Sequence, residues 1–93
     1  LQESSESKIL LNAEPYYGLC RVYFYQKKYD LAIFNGNKAY DGWKQDLPLY
    51  ASDALYLVAL SYLNKGDETQ GVIVLSQSAT LGNNNAQNRL QDY

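Results

Sequence analysis

Ninety-three residues bound the molecule to one small domain, which buries roughly 60–65% of the surface of its unfolded chain on folding. Hydrophobic residues make up 46% of the chain and charged residues 19%, with ten tyrosines against two phenylalanines and one tryptophan, a composition that excludes a disordered chain and favours amphipathic aromatic surfaces. The net charge of −2 gives no long-range pull toward nucleic acid or an anionic membrane. The longest apolar runs, such as Leu55 to Leu60, fall far short of the ~20 residues a membrane span needs, so neither nucleic acid nor a membrane span is expected of this fragment.

The single cysteine, Cys20, lies among apolar residues and reads as a small buried hydrophobe. It does not fix the compartment, and cytoplasmic and periplasmic settings are both compatible with it. The chain starts at Leu1 and contains no methionine, which reads as a processed protein or an excised piece of a longer one.

Strand-like alternation is absent and β-branched residues cluster only at Val72, Ile73 and Val74, so the expected fold is all-α with about five helices. Residues 1–12 read as an N-terminal extension or short capping helix, its apolar residues being Ile9, Leu10 and Leu11. Asn12 is an N-cap candidate and Pro15 suits a first turn, predicting a helix from about Ala13 to Gln26. Its buried stripe is predicted as Tyr16, Leu19, Cys20, Tyr23 and Phe24. After the polar Lys27-Lys28 turn, Tyr29 to Tyr40 is predicted as a second helix with Tyr29, Ala32, Ile33 and Ala39 inward, antiparallel to the first.

The stretch from Asp41 to Leu47, with Gly42 and Trp43, reads as a loop ending at Pro48, and a third helix is predicted from about Leu49 to Asn64. Gly66 stops it, and Asp67 and Gln70 have the spacing of a capping box that opens a fourth helix, Glu68 to Leu81. Gly82 ends that helix, Asn84 is the candidate cap of the next, and Ala86 to Tyr93 begins a fifth. Gly36, inside the second helix, costs about 1 kcal/mol relative to alanine, which predicts a close helix–helix approach there.

The pattern repeats. Setting Ala13 against Ser52, an offset of 39 residues, aligns Tyr16 with Leu55, Leu19 with Val58, Cys20 with Ala59, Tyr23 with Tyr62 and Ala32 with Gly71; Ala86 against Ala54 gives 32 for the next copy. Residues 13–93 then form a helical repeat domain: 13–47 as repeat one, 48–82 as repeat two, and 83–93 as the start of a third repeat or a capping helix. A closed four- or five-helix bundle is the alternative.

In the first copy, Tyr16, Leu19, Cys20, Tyr23, Tyr29, Ala32 and Ala39 resemble the tetratricopeptide signature. In the second, "ALSYLNKGD" followed by "SATLGNNNAQNRL" resembles the related Sel-one-like repeats. The resemblance implies an α-solenoid whose concave face, lined by the first helix of each pair, grips a protein or peptide. It carries groove positions onto Glu14, Tyr17, Arg21, Phe24 and Tyr25, then Asp53, Tyr56, Leu60 and Asn64, then Asn85 and Asn88. The partner-binding set is taken as Tyr17, Arg21, Phe24, Tyr25, Tyr56, Leu60, Asn64 and Asn88, although Tyr17, Phe24 and Tyr56 also suit a core role. Tyr17 and Arg21 stand where the family's carboxylate-clamp pattern has Lys and Asn, so capture of a C-terminal carboxylate is not implied.

No histidine is present, which removes the commonest general base and metal ligand. Glu3, Glu6, Glu14 and Glu68 sit at predicted helix starts or in the polar N-terminus, where capping and solvation explain them. The glycines are scattered, with no strand-to-helix phosphate loop. No catalytic residue, cofactor or metal is assigned, and a non-catalytic protein- or peptide-binding module is expected. The rival is a sensory or oligomerising domain of a regulator, membrane-anchored transcription factors included, with self-association through the terminal helices, where apolar residues such as Leu90 and Tyr93 stay partly exposed. A non-catalytic accessory domain of an enzyme is a third option.

Overall fold

A computed structural model describes the backbone of residues 5–93 and the side chains from Leu10 onward. Five helices make up the described residues, with no strand among them: α1 (Ser5–Tyr25), α2 (Tyr29–Trp43), α3 (Pro48–Asn64), α4 (Glu68–Thr80) and α5 (Asn84–Leu90). The predicted all-α class holds, as do the positions of the four later helices to within a few residues. The side chains of Glu3, Glu6 and Ile9 lie outside the described residues.

The predicted break between residues 12 and 13 is absent. The α1 helix runs unbroken through Asn12 and carries Pro15 inside it, so Asn12 is not a cap and no boundary separates residues 5–12 from the rest. A proline within a helix withholds an N–H from the carbonyl four residues back and costs ~3 kcal/mol. Tertiary contacts on the N-terminal side of Pro15 act against that cost: the indole Nε1 of Trp43 donates to the Leu10 carbonyl at 3.3 Å, and Ala13 is buried in the same cluster as Trp43. Sequence punctuation alone carries no information about that remote anchor.

Trp43 also corrects the predicted loop from 41 to 47. The α2 helix extends to Trp43 because the indole continues the stripe of Ala32, Gly36 and Ala39, and it is 99% removed from solvent. Only Lys44 to Leu47 link α2 to α3, and Pro48 takes the first position of α3, where its missing donor has no partner to lose.

The three remaining turns share one geometry. Lys27, Gly66 and Gly82 adopt left-handed backbone with φ of 61°, 97° and 105°. In each turn the residue at positive φ donates its N–H to a carbonyl three back: Lys27 to Phe24 at 3.0 Å, Gly66 to Leu63 at 3.1 Å and Gly82 to Ala79 at 3.0 Å. The next residue reaches five back: Lys28 to Tyr23 at 2.9 Å, Asp67 to Tyr62 at 2.9 Å and Asn83 to Ser78 at 3.1 Å. This pairing satisfies carbonyls that a helix end otherwise leaves open. The first two turns recur at the 39-residue offset read from the sequence.

Caps follow two of these turns directly. Asp67 accepts from the Gln70 N–H at 3.2 Å. Because the Asp67 N–H is given to Tyr62, the predicted capping box forms only in this direction. Asn83, not Asn84, caps α5 by accepting from the Ala86 N–H at 2.8 Å. The helix after Lys27-Lys28 has no side-chain cap.

Each helix packs on the next in chain order, with a further contact between α1 and α3, giving a slab of 47 × 26 × 15 Å. Ala13, Ala39, Trp43, Leu47, Ala51 and Ala54 fill the space among α1, α2 and α3. Leu55, Val58, Ala59, Val74, Leu75 and Ala86 fill that among α3, α4 and α5. Tyr40 and Leu81 border both groups. Ser78 Oγ donates to the Ser52 carbonyl at 2.7 Å, tying α4 to α3 inside the buried layer. The Lys65 ammonium pairs with Asp30 at the surface, joining the end of α3 to the start of α2.

The predicted inward stripe of α1 is corrected in part. Ala13 and Cys20 are buried and Tyr23 and Phe24 half-buried, whereas Tyr16 and Leu19 are exposed. Leu11, Leu19, Val22 and Tyr25 all face outward, so α1 is apolar around most of its circumference and periodicity could not choose a side. Burial holds the Cys20 thiol up to about 12, which keeps it protonated and unreactive.

Two stability predictions follow from the turns and the packing. Lys27→Gly should raise stability by about 0.5–1 kcal/mol, since a side chain at left-handed φ is strained and Gly occupies the matching position in the next two turns; an unshifted urea midpoint would reject the strain. A Cβ on Gly36 would overlap Val58 Cγ2 and approach Cys20 Sγ at 3.1 Å. Gly36→Ala should therefore lose more to overpacking, about 1–3 kcal/mol, than the ~1 kcal/mol it gains in helix propensity, and Gly36→Leu should lose more still. Equal melting temperatures for glycine, alanine and leucine at 36 would contradict the close approach.

Candidate functional site

The exposed side of α1 and α3 repeats at helical spacing. On α1 it carries Glu14, Tyr17, Arg21 and Tyr25; on α3 it carries Leu49, Asp53, Tyr56, Leu60 and Asn64, each three or four residues from the next. The first turn of α5 adds Asn85, and Asn88 follows one turn later.

Tyr17 is half-buried, its ring tilted against Trp43 at 5.5 Å between centroids. Trp43 also meets Tyr50 at 5.6 Å, so three aromatic rings connect α1 to α3 through the end of α2. The Arg21 guanidinium lies 6.0 Å from the centre of the Tyr17 ring, where the negative face of the ring attracts it. Burial raises the Tyr17 phenol above its ordinary value; the negative charge of Asp53 adds to this and the positive charge of Arg21 opposes it. Opposite charges therefore act on one ring, Arg21 from its own helix and Asp53 from α3.

Asp53 projects from the exposed side of α3. Its carboxylate accepts from Asn83 Nδ2 at 2.9 Å, and Asn83 is itself 94% buried with its Oδ1 engaged by the Ala86 N–H. Both ends of the Asn83 amide are thus committed, which fixes the carboxylate it holds. Partial burial raises the Asp53 carboxyl above the ordinary carboxylate range, and the Asn83 hydrogen bond pulls it back down. Beside it, an open cleft of about 320 Å³ lies between the starts of α3 and α5.

The remaining predicted residues are placed as follows. Phe24 is half-buried, edge-on to Tyr25 at 5.6 Å and to Tyr29 at 6.0 Å. Tyr25 is 74% exposed and, with Gly18, Arg21 and Val22, lines a shallow depression of about 210 Å³. Tyr56 packs partly against the Leu55–Val58 cluster, Leu60 is half-buried, and Asn64 and Asn88 are exposed. Direct contacts thus join Tyr17 to Arg21 and Phe24 to Tyr25, while Tyr56, Leu60 and Asn64 share a face of α3 by spacing alone.

Sequence reasoning missed Asn83, Trp43 and Tyr50. Gly82-Asn83 repeats the Gly66-Asp67 order of stop and cap, a signal that was present in the chain. Trp43 falls four residues after Ala39, continuing the inward stripe, whereas Tyr50 becomes relevant only through its contact with Trp43.

Among the described residues no helix is long and apolar enough to cross a membrane, and no three His, Cys, Asp or Glu side chains gather as a metal-binding group. Comparison with protein-family models, with curated proteins and with solved structures finds no match for this chain.

Because the folded-state value of Asp53 is raised, the folded protein holds that proton more tightly than the unfolded chain does. The associated stability is present at low pH and is lost as pH rises through the folded value. Asp53→Asn, which keeps an oxygen for Asn83, should be at least as stable as the parent at neutral pH, with the difference closing below roughly pH 4. Urea unfolding at the two pH values checks the sign, and a variant less stable at neutral pH would reverse it.

Proposed function

We propose that this chain is a helical-hairpin repeat module of tetratricopeptide-like or Sel-one-like type, without catalysis, which binds a protein or peptide segment along the face shared by α1, α3 and α5. The observation that carries the proposal is the charged aromatic site at the α1–α3 junction: Tyr17 seated on Trp43, Arg21 above it, and Asp53 acting on it from the next hairpin. Tyrosine and arginine concentrate binding energy because a stiff ring and a planar guanidinium fix much contact area with little entropy loss. The recurring turn geometry and chain-order packing support the repeat assignment, since such hairpins hide their apolar sides by stacking.

A second function, oligomerisation, is favoured by one feature. The outward side of α1 bears Leu11, Leu19 and Val22 uncovered, large apolar side chains on one helix of the kind that marks association sites. As the arm of a regulator, the domain would pair through this surface and the C-terminal end, where Tyr93 is also exposed.

Linear peptides selected from a random library on the wild-type chain should lose about 2 kcal/mol of affinity, roughly thirtyfold, in Arg21→Ala and in Tyr56→Ala. Arg21→Ala is the cleaner variant because its side chain is exposed. Unchanged affinity in both, with melting temperatures preserved, rejects the groove. Sedimentation at two concentrations addresses the second function, and a monomer at both counts against it.

A further inference from the structure

The cleft between the starts of α3 and α5 has a chemistry of its own. Asp53 stands at its edge, Leu49 and Gly82 form an apolar wall, and Asn83, Asn84 and Asn85 supply amides. Among the described residues no ion pair involves Asp53; the two that form join Lys44 to Asp41 and Lys65 to Asp30. The carboxylate is nevertheless held in one place, by an asparagine whose other end is locked into a helix cap. The Asn84 and Asn85 side chains make no hydrogen bond among the described residues, leaving their amide oxygens as acceptors beside the carboxylate.

We infer that this cleft receives a basic side chain, lysine or arginine, of the bound segment, with the Asp53 carboxylate as its counter-charge. Three features fit that occupant, and the first sets it apart from a neutral one. A partly desolvated carboxylate without a cation gains most from a partner that brings a positive charge. Ammonium and guanidinium groups carry several N–H donors, matching a carboxylate flanked by amide oxygens. The long methylene stem of either residue needs an apolar wall, which the exposed Leu49 side chain provides where it lies over Gly82. A side chain on Gly82 would meet Leu49 Cδ2 at 3.1 Å and crowd that wall.

The inference rests on the proposed groove, which takes Asp53 of α3 together with Tyr17 of α1, but its test is separate. Backbone amide signals of the full chain are followed while N-acetyl-arginine amide, N-acetyl-lysine amide or the uncharged N-acetyl-norleucine amide is added at millimolar concentrations. The two cations should shift Asp53 and Asn83 to Asn85, the norleucine compound should not, and Asp53→Asn should weaken the response about tenfold or more. The larger shift, from arginine or from lysine, identifies the preferred head group. Equal shifts from norleucine, or an undiminished response in folded Asp53→Asn, overturn the inference. Library peptides that depend on Tyr56 yet carry no basic residue would leave the groove standing and remove this site. A cation response at Asp53 with no peptide retained would do the reverse.

Discussion

The indole of Trp43 is the contact on which the remaining arrangement depends. It closes α2, contacts the rings of both Tyr17 and Tyr50, and donates to the Leu10 carbonyl, so one side chain touches α1, α2 and α3 together. An aromatic group of this kind buries roughly 150–250 Å². The residues around it are small: Ala13, Ala39, Ala51 and Ala54 leave the space that the indole fills. Its polar N–H is satisfied by a backbone carbonyl, which makes complete burial tolerable. By fixing α1 beside α3 it also sets Arg21, over the Tyr17 ring, alongside the helix that carries Asp53, so the chemistry of the exposed face follows from the packing beneath it.

Close approach is bought with glycine as well as alanine. A Cβ on Gly42 would lie 2.7 Å from that of Ala13, and one on Gly71 would lie 2.5 Å from Leu63 Cδ2, so both glycines sit where their helices touch a neighbour. Each sacrifices about 1 kcal/mol of helix propensity. The return is a thin slab in which no helix lies deep inside and each is covered chiefly by its neighbours in the chain. Stability in such an arrangement resides in the contacts between successive helices, and a weak contact is felt where it occurs.

How much of this was legible in the chain depends on whether the cause was local. Gly66, Asp67, Gly82 and the N1 proline Pro48 announce helix ends through backbone preferences that act within a few residues, and all took the roles their chemistry dictates. Pro15 misled because the force opposing its local preference comes from Trp43, 28 positions away. Trp43 reads as part of a loop because Gly42 and the nearby Asp41 and Asp46 resemble a linker, while the burial that overrides them depends on α1 and α3. Of the residues that the repeat resemblance places on the face, Arg21, Tyr25, Asn64 and Asn88 are exposed. Tyr17, Phe24 and Tyr56 sit half-covered, between the two roles open to them, because a tyrosine or phenylalanine on an amphipathic helix can cover core with its body and still present an edge.

Two uncovered sides of α1 differ in a way that bears on how each could be used. The side carrying Leu11, Leu19 and Val22 exposes large apolar groups and gains by being covered, as a permanent neighbour would cover it. The side carrying Tyr17 and Arg21 is charged and backed by the tilted Tyr17–Trp43 contact, so it loses little by standing open and gains directional contacts when something lies on it. Asp53 extends this second character to α3, and Asn83 transmits it to α5 without adding charge. Reversible binding requires an empty state that costs little, and under the proposed function that criterion favours the Tyr17–Arg21–Asp53 face for an exchangeable segment and the Leu11–Val22 face for a lasting one.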